Sequence, residues 1–335
     1  MILNFLGQLR FLGGVYLGWG VGANDNANIF GPAVATNAIK YKTAVILGAV
    51  FVLMGALIEG PDLMGSVSGV AGAEFSTYEI SAVNLAFAAS IAAAITITIL
   101  TYLSIPASTS QASIGSIFGI SIVIAGVGGA EWGEFFRMFI VWVVNPPLTA
   151  LVTLVLYKAL AVPVNYFIKS DMWYNRVFSA LLIISGSYGA YTLGASHAAV
   201  TTAPFLKSGV FDNVGAAVGL SAPFIASAAG GVGMALGVLT YSKRVMRTVG
   251  KKITVLDHFS AFVAVLGAAL TVHFCKIIGV PVSTSQAIVG AITGVGLIKG
   301  SKTVNFSSLK SIFLGWVMTP IAGALFCYII LQLFY

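Results

Sequence analysis

The sequence predicts an all-α polytopic membrane protein, built as an inverted repeat with broken or re-entrant helices and about 10–12 membrane segments. Three observations carry that prediction. Of 335 residues, 58% are hydrophobic and only 8% charged, and the mean hydropathy is +0.98; soluble domains carry about a quarter charged residues. Apolar runs long enough to cross a bilayer recur along the whole length. A hydroxyl-rich stretch occurs twice, Pro106-Ala-Ser-Thr-Ser-Gln-Ala and Pro281-Val-Ser-Thr-Ser-Gln-Ala, at an offset of 175 residues. Each copy opens an apolar run and is followed by a Gly-x-x-x-Gly pair, Gly115/Gly119 and Gly290/Gly294.

The net charge of +7 would suit a nucleic-acid partner, but the placement of the cations excludes that reading. Ten apolar segments are expected at 11–35, 43–60, 80–103, 108–126, 136–162, 177–203, 214–240, 256–277, 281–299 and 311–334. If they alternate across the bilayer, 13 Lys and Arg fall on one side and 4 on the other. That asymmetry orients the chain with both termini outside. Cys275 and Cys327 lie in apolar runs without a pairing pattern and read as small core residues. The first apolar segment is too long for the core of a cleavable signal peptide.

Segment 1 is interrupted by Gly20-Val-Gly-Ala-Asn24-Asp25-Asn26-Ala-Asn28 and then Pro32. At 1.5 Å per residue, Asn24 lies about 20 Å along a helix that enters near Phe11. Polar groups at that depth need a cavity or an ion. Asn24, Asp25 and Asn28 together therefore read as a cation site, and the glycines and Pro32 allow the helix to unwind there and free carbonyl ligands. Glu59 and Asp62 mark a boundary turn, and residues 61–79 read as an outer loop with solvated acids.

Segments 3 and 4 are joined only by Ser104-Ile105-Pro106-Ala107, and segments 8 and 9 only by Ile278-Gly279-Val280-Pro281. Both links reach a common midplane site only if the helices break or re-enter, and a break in lipid must line a cavity or hold a ligand. Free backbone N–H groups, a positive helix end and Ser/Thr hydroxyls make such a turn an anion site. The candidate anion ligands are Ser108, Thr109, Ser110, Gln111, Ser283, Thr284, Ser285 and Gln286. Trp142-Val-Val-Asn145-Pro146 parallels Trp316-Val-Met-Thr319-Pro320 at offset 174 and reads as paired kinks.

A polar linker at 165–175 divides a first repeat (1–164) from a second (176–335). Five segments per half make the second run upside down, as in alternating-access transporters. In segment 6, Gly194-Ala195-Ser196-His197 aligns with Gly22-Ala23-Asn24-Asp25 at offset 172. Ser196 and His197 thereby join Asn24, Asp25 and Asn28 as candidate cation-site residues.

These stretches, Gly22-Ala-Asn-Asp-Asn-Ala-Asn-Ile-Phe-Gly31 with the paired Pro-x-Ser-Thr-Ser-Gln turns, resemble the inorganic phosphate transporter (PiT) family. The resemblance spans both halves. It implies a sodium-coupled carrier in the cell membrane, usually a homodimer. Phosphate would sit between the two turns and sodium near Asn24, Asp25 and Asn28, without any further cofactor. The family's second half normally repeats Gly-Ala-Asn-Asp, where this chain has Gly194-Ala-Ser-His197. PiT-like sulfate permeases are relatives with altered motifs of this kind, which keeps sulfate open as the anion, with proton or sodium coupling.

Electrostatics leads to the same coupling. The apolar interior offers a divalent oxyanion almost no Lys or Arg, and each helix terminus supplies only about half a charge. Co-bound cations remedy that, and oxygen ligands suit a hard ion such as sodium. Two other classes fit less well. An anion channel needs a continuous polar pore, whereas the polar residues cluster at one depth. An intramembrane enzyme would need a nucleophile motif or metal triad, and the duplicated turns have no catalytic explanation.

Overall fold

The computed structural model describes residues 9–64, 82–130, 132–277 and 282–334. Apart from three 3₁₀ turns, the named elements are α-helices. In chain order these are α1 (Leu12–Ala35), α2 (Tyr41–Ile58), α3 (Ala82–Tyr102), α4 (Thr109–Gly129), α5 (Trp132–Phe167) and α6 (Asp171–Thr202). They are followed by α7 (Val210–Val218), α8 (Ala222–Tyr241), α9 (Lys243–Lys251), α10 (His258–Ile277), α11 (Thr284–Lys299) and α12 (Phe306–Phe334).

Eight of these, α2, α3, α4, α5, α6, α8, α10 and α12, are long and apolar enough to span a bilayer. This is a multi-pass membrane protein. Two helices of the bundle fall outside that set for opposite reasons: α1 has 24 residues but a polar middle, and α11 has only 16. Both carry candidate site residues.

The packing follows a repeated plan. α1 and α6 meet in the centre. α1 is flanked by α8 and α3, and α6 by α2 and α10. Two helical hairpins, α3–α4 and α10–α11, lie beside this pair; α12 clasps α4, and α5 clasps α11. Small residues set how close the backbones come. A Cβ at Gly115 would collide with the Pro320 carbonyl, and one at Gly290 with the Pro146 carbonyl. Likewise Gly237 sits on the Trp19 carbonyl and Gly55 on the Tyr191 carbonyl. Without a hydrophobic driving force between helices in lipid, such small-residue contacts are what bring them together.

The structure differs from the sequence reading in several places. α1 is not unwound at the Asn/Asp cluster; it runs unbroken, with Pro32 near its end. Pro32 has no N–H, so the Asn28 carbonyl lacks its helical donor, while the earlier carbonyls of the cluster keep theirs. Segment 7 is two helices, because Gly219 adopts a left-handed φ of 71° after α7 and a coil precedes α8. The expected linker at 165–175 is mostly helical, the coil between α5 and α6 being residues 168–170. α5 and α12, where paired kinks are expected, each run through their prolines as one helix, as a kinked helix does. Most of the expected outer loop, residues 65–79, lies outside the described residues, as does Pro281.

Candidate functional site

The two turns are built alike. Ser108 caps α4 by accepting the Gln111 N–H (3.3 Å), and Ser283 caps α11 by accepting the Gln286 N–H (3.4 Å). Each cap hydroxyl also pairs at 3.0 Å with the serine two residues on, Ser110 and Ser285. The caps are thus structural, and the N–H groups of Thr109, Ser110, Thr284 and Ser285 are left as first-turn donors without helical acceptors. Those donors, rather than the cap oxygens, are what an oxyanion would meet. Ser108, Thr109, Gln111, Ser283, Ser285 and Gln286 are all buried.

Asp25 lies midway along α1 and is 2% exposed. Its Oδ2 accepts the Thr109 hydroxyl and stands 4.0 Å from Nε2 of His197 on α6. Its Oδ1 has no partner. A buried carboxylate with one idle oxygen is costly unless a cation completes it. The amides of Asn28, fully buried, and the Oε1 of Gln111 are also without hydrogen bonds. Asp25, Asn28 and Gln111 thus each keep a buried oxygen without a hydrogen bond, and oxygen donors are the kind a hard cation takes. No group of three His, Cys, Asp or Glu that would hold a transition metal exists among the described residues.

The second turn reaches the same crossing from the other side. Thr284 lines a cavity of ≈ 20 Å³ with Ser196, Thr192, Ile29 and Ile288, about the space of one water. Thr109, Asp25, His197, Ser196 and Thr284 therefore follow one another across the α1–α6 contact.

Two candidate cation-site residues make hydrogen bonds of their own. The Asn24 amide donates to the Thr101 hydroxyl (2.8 Å) and the Ile105 carbonyl (3.2 Å), and its oxygen accepts the Ala107 N–H (3.0 Å). Asn24 clamps the first turn to α1. The Ser196 hydroxyl bonds back to the Thr192 carbonyl of its own helix (2.8 Å) and pairs with His197 Nδ1 (3.0 Å), the ordinary behaviour of serine in a membrane helix.

Sequence reasoning missed the residues that hold the turns from outside. Asn145 on α5 donates to the Ser283 carbonyl (2.8 Å) and reaches Gln286 Oε1 (3.5 Å). The Trp316 indole on α12 donates to the Pro106 carbonyl (2.9 Å). Their signal was the Trp-x-x-Asn/Thr-Pro parallel, whose prolines drew attention away from the hydrogen-bonding residues beside them. Asn26 was also passed over; its amide is buried against Gly48 with neither atom partnered.

Comparison with known proteins places these features in context. A family model described as "Phosphate transporter family" matches residues 21–327. The chain is 30% identical to a protein of Methanocaldococcus jannaschii over 96% of each, and 28% identical to one of Pyrococcus horikoshii over 94% of each. Both are named "Putative phosphate permease". The fold matches a solved structure titled "The sodium-dependent phosphate transporter", with a TM-score of 0.78, 24% identity and coverage of 98% of this chain and 99% of that one.

Proposed function

The chain belongs to the phosphate transporter family, and on that premise we propose that it imports inorganic phosphate by sodium-coupled alternating access. The observation that carries the coupling is Asp25: buried, bonded to Thr109 of the anion turn, and left with an idle oxygen. One element thus joins the two ions. Sodium at Asp25, with Asn28 and Gln111 near it, offsets the carboxylate and lets a divalent anion approach the N–H groups of Thr109 and Ser110. The reverse follows by linkage, phosphate raising sodium affinity by the same factor.

The second turn supplies the opposite wall, with Thr284 and Ser285 donating. The orphaned Gln111 carbonyl is an acceptor for the proton of hydrogen phosphate, which sulfate lacks. The two halves act as inverted repeats in this reading. Support comes from the mirrored contacts, Gly115 on Pro320 with Gly290 on Pro146, and Gly237 on Trp19 with Gly55 on Tyr191. Rocking one set of helices against the other around a fixed site is the motion such folds use.

Uptake of radiolabelled phosphate into proteoliposomes, with and without an inward sodium gradient, tests the proposal. Sodium-dependent uptake that unlabelled sulfate does not block is the expected result. Uptake that sulfate blocks and sodium does not affect would reassign the protein as a sulfate permease, with His197 as the coupling group.

A further inference from the structure

The exposed face of α8 carries Val232, Leu236 and Leu239, a stripe that fits the hydrocarbon of the bilayer. Directly after it, the separate short helix α9 exposes the cations Lys243, Arg244, Arg247 and Lys251, while Val245, Met246 and Val249 are buried. The change from exposed apolar to exposed basic residues within a few positions of the chain marks where acyl chains give way to headgroups.

The cations are held out, not tucked away. The Arg244 guanidinium lies over the rings of Tyr102 (5.0 Å) and Tyr241 (5.9 Å), and its Nη1 donates to the Tyr102 carbonyl (3.3 Å). Lys243 lies over Tyr41 at 5.5 Å, and Trp19 packs on Tyr241 at 6.1 Å. Tyr102 is 61% exposed. Amphipathic aromatic rings at this level are those of a membrane interface. No carboxylate pairs with Lys243, Arg244 or Arg247 among the described residues.

We propose that Lys243, Arg244 and Arg247 bind the phosphate group of an anionic phospholipid, in one leaflet only. The mirrored contacts explain the restriction. Gly237 on Trp19 corresponds to Gly55 on Tyr191, so Glu59 stands where Tyr241 stands and Asp62 where Arg244 stands. The other end of the bundle is therefore acidic at the matching positions. The cations lie beside two elements that adjoin the candidate site. Tyr102 ends α3 just before the Ser108 turn, and Gly250 of α9 packs on Gly31 of α1, six residues beyond Asp25.

Lipid retention in detergent tests this without any transport assay, so it fails or holds independently of the phosphate reading. The full chain is incubated with phosphatidylglycerol or phosphatidylcholine, and retained lipid is counted by native mass spectrometry. The wild type is expected to prefer phosphatidylglycerol about tenfold. Replacing Lys243, Arg244 and Arg247 together by Gln should reduce this to near parity, whereas Arg244→Lys with Arg247→Lys should keep most of it. Arg247→Gln alone, an exposed change, should lower the preference about threefold, which keeps the test decisive if the triple variant fails to fold. Unchanged preference in both the triple and the single variant overturns the site. Displacement of phosphatidylglycerol by inorganic phosphate in the wild type also overturns it, because the cations would then serve the free anion.

Discussion

The two central helices, α1 and α6, occupy matching places but treat their hairpins differently. α1 grips the first turn with its own side chains: Asn24 holds Thr101, Ile105 and Ala107, and Asp25 takes the Thr109 hydroxyl. α6 has Ser196 folded back on its own backbone and His197 turned toward Asp25, while the second turn is held by Asn145 from α5. A near-symmetric scaffold thus carries one anionic and one basic side chain at its crossing. The lesson is that matching places in the packing can hold side chains of different chemistry, so the sequence differences between α1 and α6 decide what each offers at the crossing.

The strongest way to break this comparison is at the two crossing residues. Asp25→Asn keeps the shape but removes the charge that demands a cation, and sodium-stimulated phosphate uptake should fall about 100-fold. His197→Asn should leave sodium stimulation in place with a smaller change in rate. Equal loss in both variants would mean that the halves contribute alike.

The threonines give a finer comparison. Thr109→Val removes a hydroxyl bonded to a carboxylate, and a charge-assisted bond of that kind is worth about tenfold in transport. Thr284 faces the small cavity beside Ser196 and no acid, so Thr284→Val should cost about twofold. Radiotracer uptake at fixed sodium measures both.

The turn clamps sharpen the contrast in stability. Asn24→Ala removes three hydrogen bonds and leaves buried groups unpaired, lowering stability by about 3 kcal/mol. Asn145→Ala loses one good bond, one long one and one from the Thr149 hydroxyl, which keeps its bond to the Asn145 backbone carbonyl, about 1 kcal/mol in all. Thermal unfolding in detergent should rank them in that order.

The smallest effect concerns a tie at the far end of the second hairpin. Partial burial works against ionisation of Asp257, yet Lys299, Ser260 and Tyr174 outweigh it and hold its carboxyl below the usual carboxylate range. A depressed folded-state pKa adds stability above the unfolded value of about 3.9 and loses it as pH falls toward the folded one. The pair is partly exposed, and solvent screening limits Asp257→Asn to about 1 kcal/mol at neutral pH. That difference should shrink as unfolding is measured below about pH 4.

Most of the architecture was legible because it rests on composition and repetition. Hydropathy marks the spans, and the duplicated Ser-Thr-Ser-Gln turns mark both hairpins whatever their depth. What was not legible depends on which face of a helix a residue takes. Asn24 and Asp25 are adjacent in sequence, but about 100° apart around α1, so one clamps a turn while the other faces the crossing. The continuity of α1 was hidden for a related reason: glycines that permit unwinding also permit close packing, and here Gly22 packs on Met234. Asn145 and Trp316 act across large sequence separations that a motif scan does not join.

The most direct test of the account is phosphate binding to the purified protein, titrated at increasing sodium, in the wild type and in Asp25→Asn. Coupling through Asp25 predicts that sodium tightens phosphate binding in the wild type and that the variant binds weakly and without regard to sodium. A variant whose phosphate affinity still rises with sodium as in the wild type would contradict it.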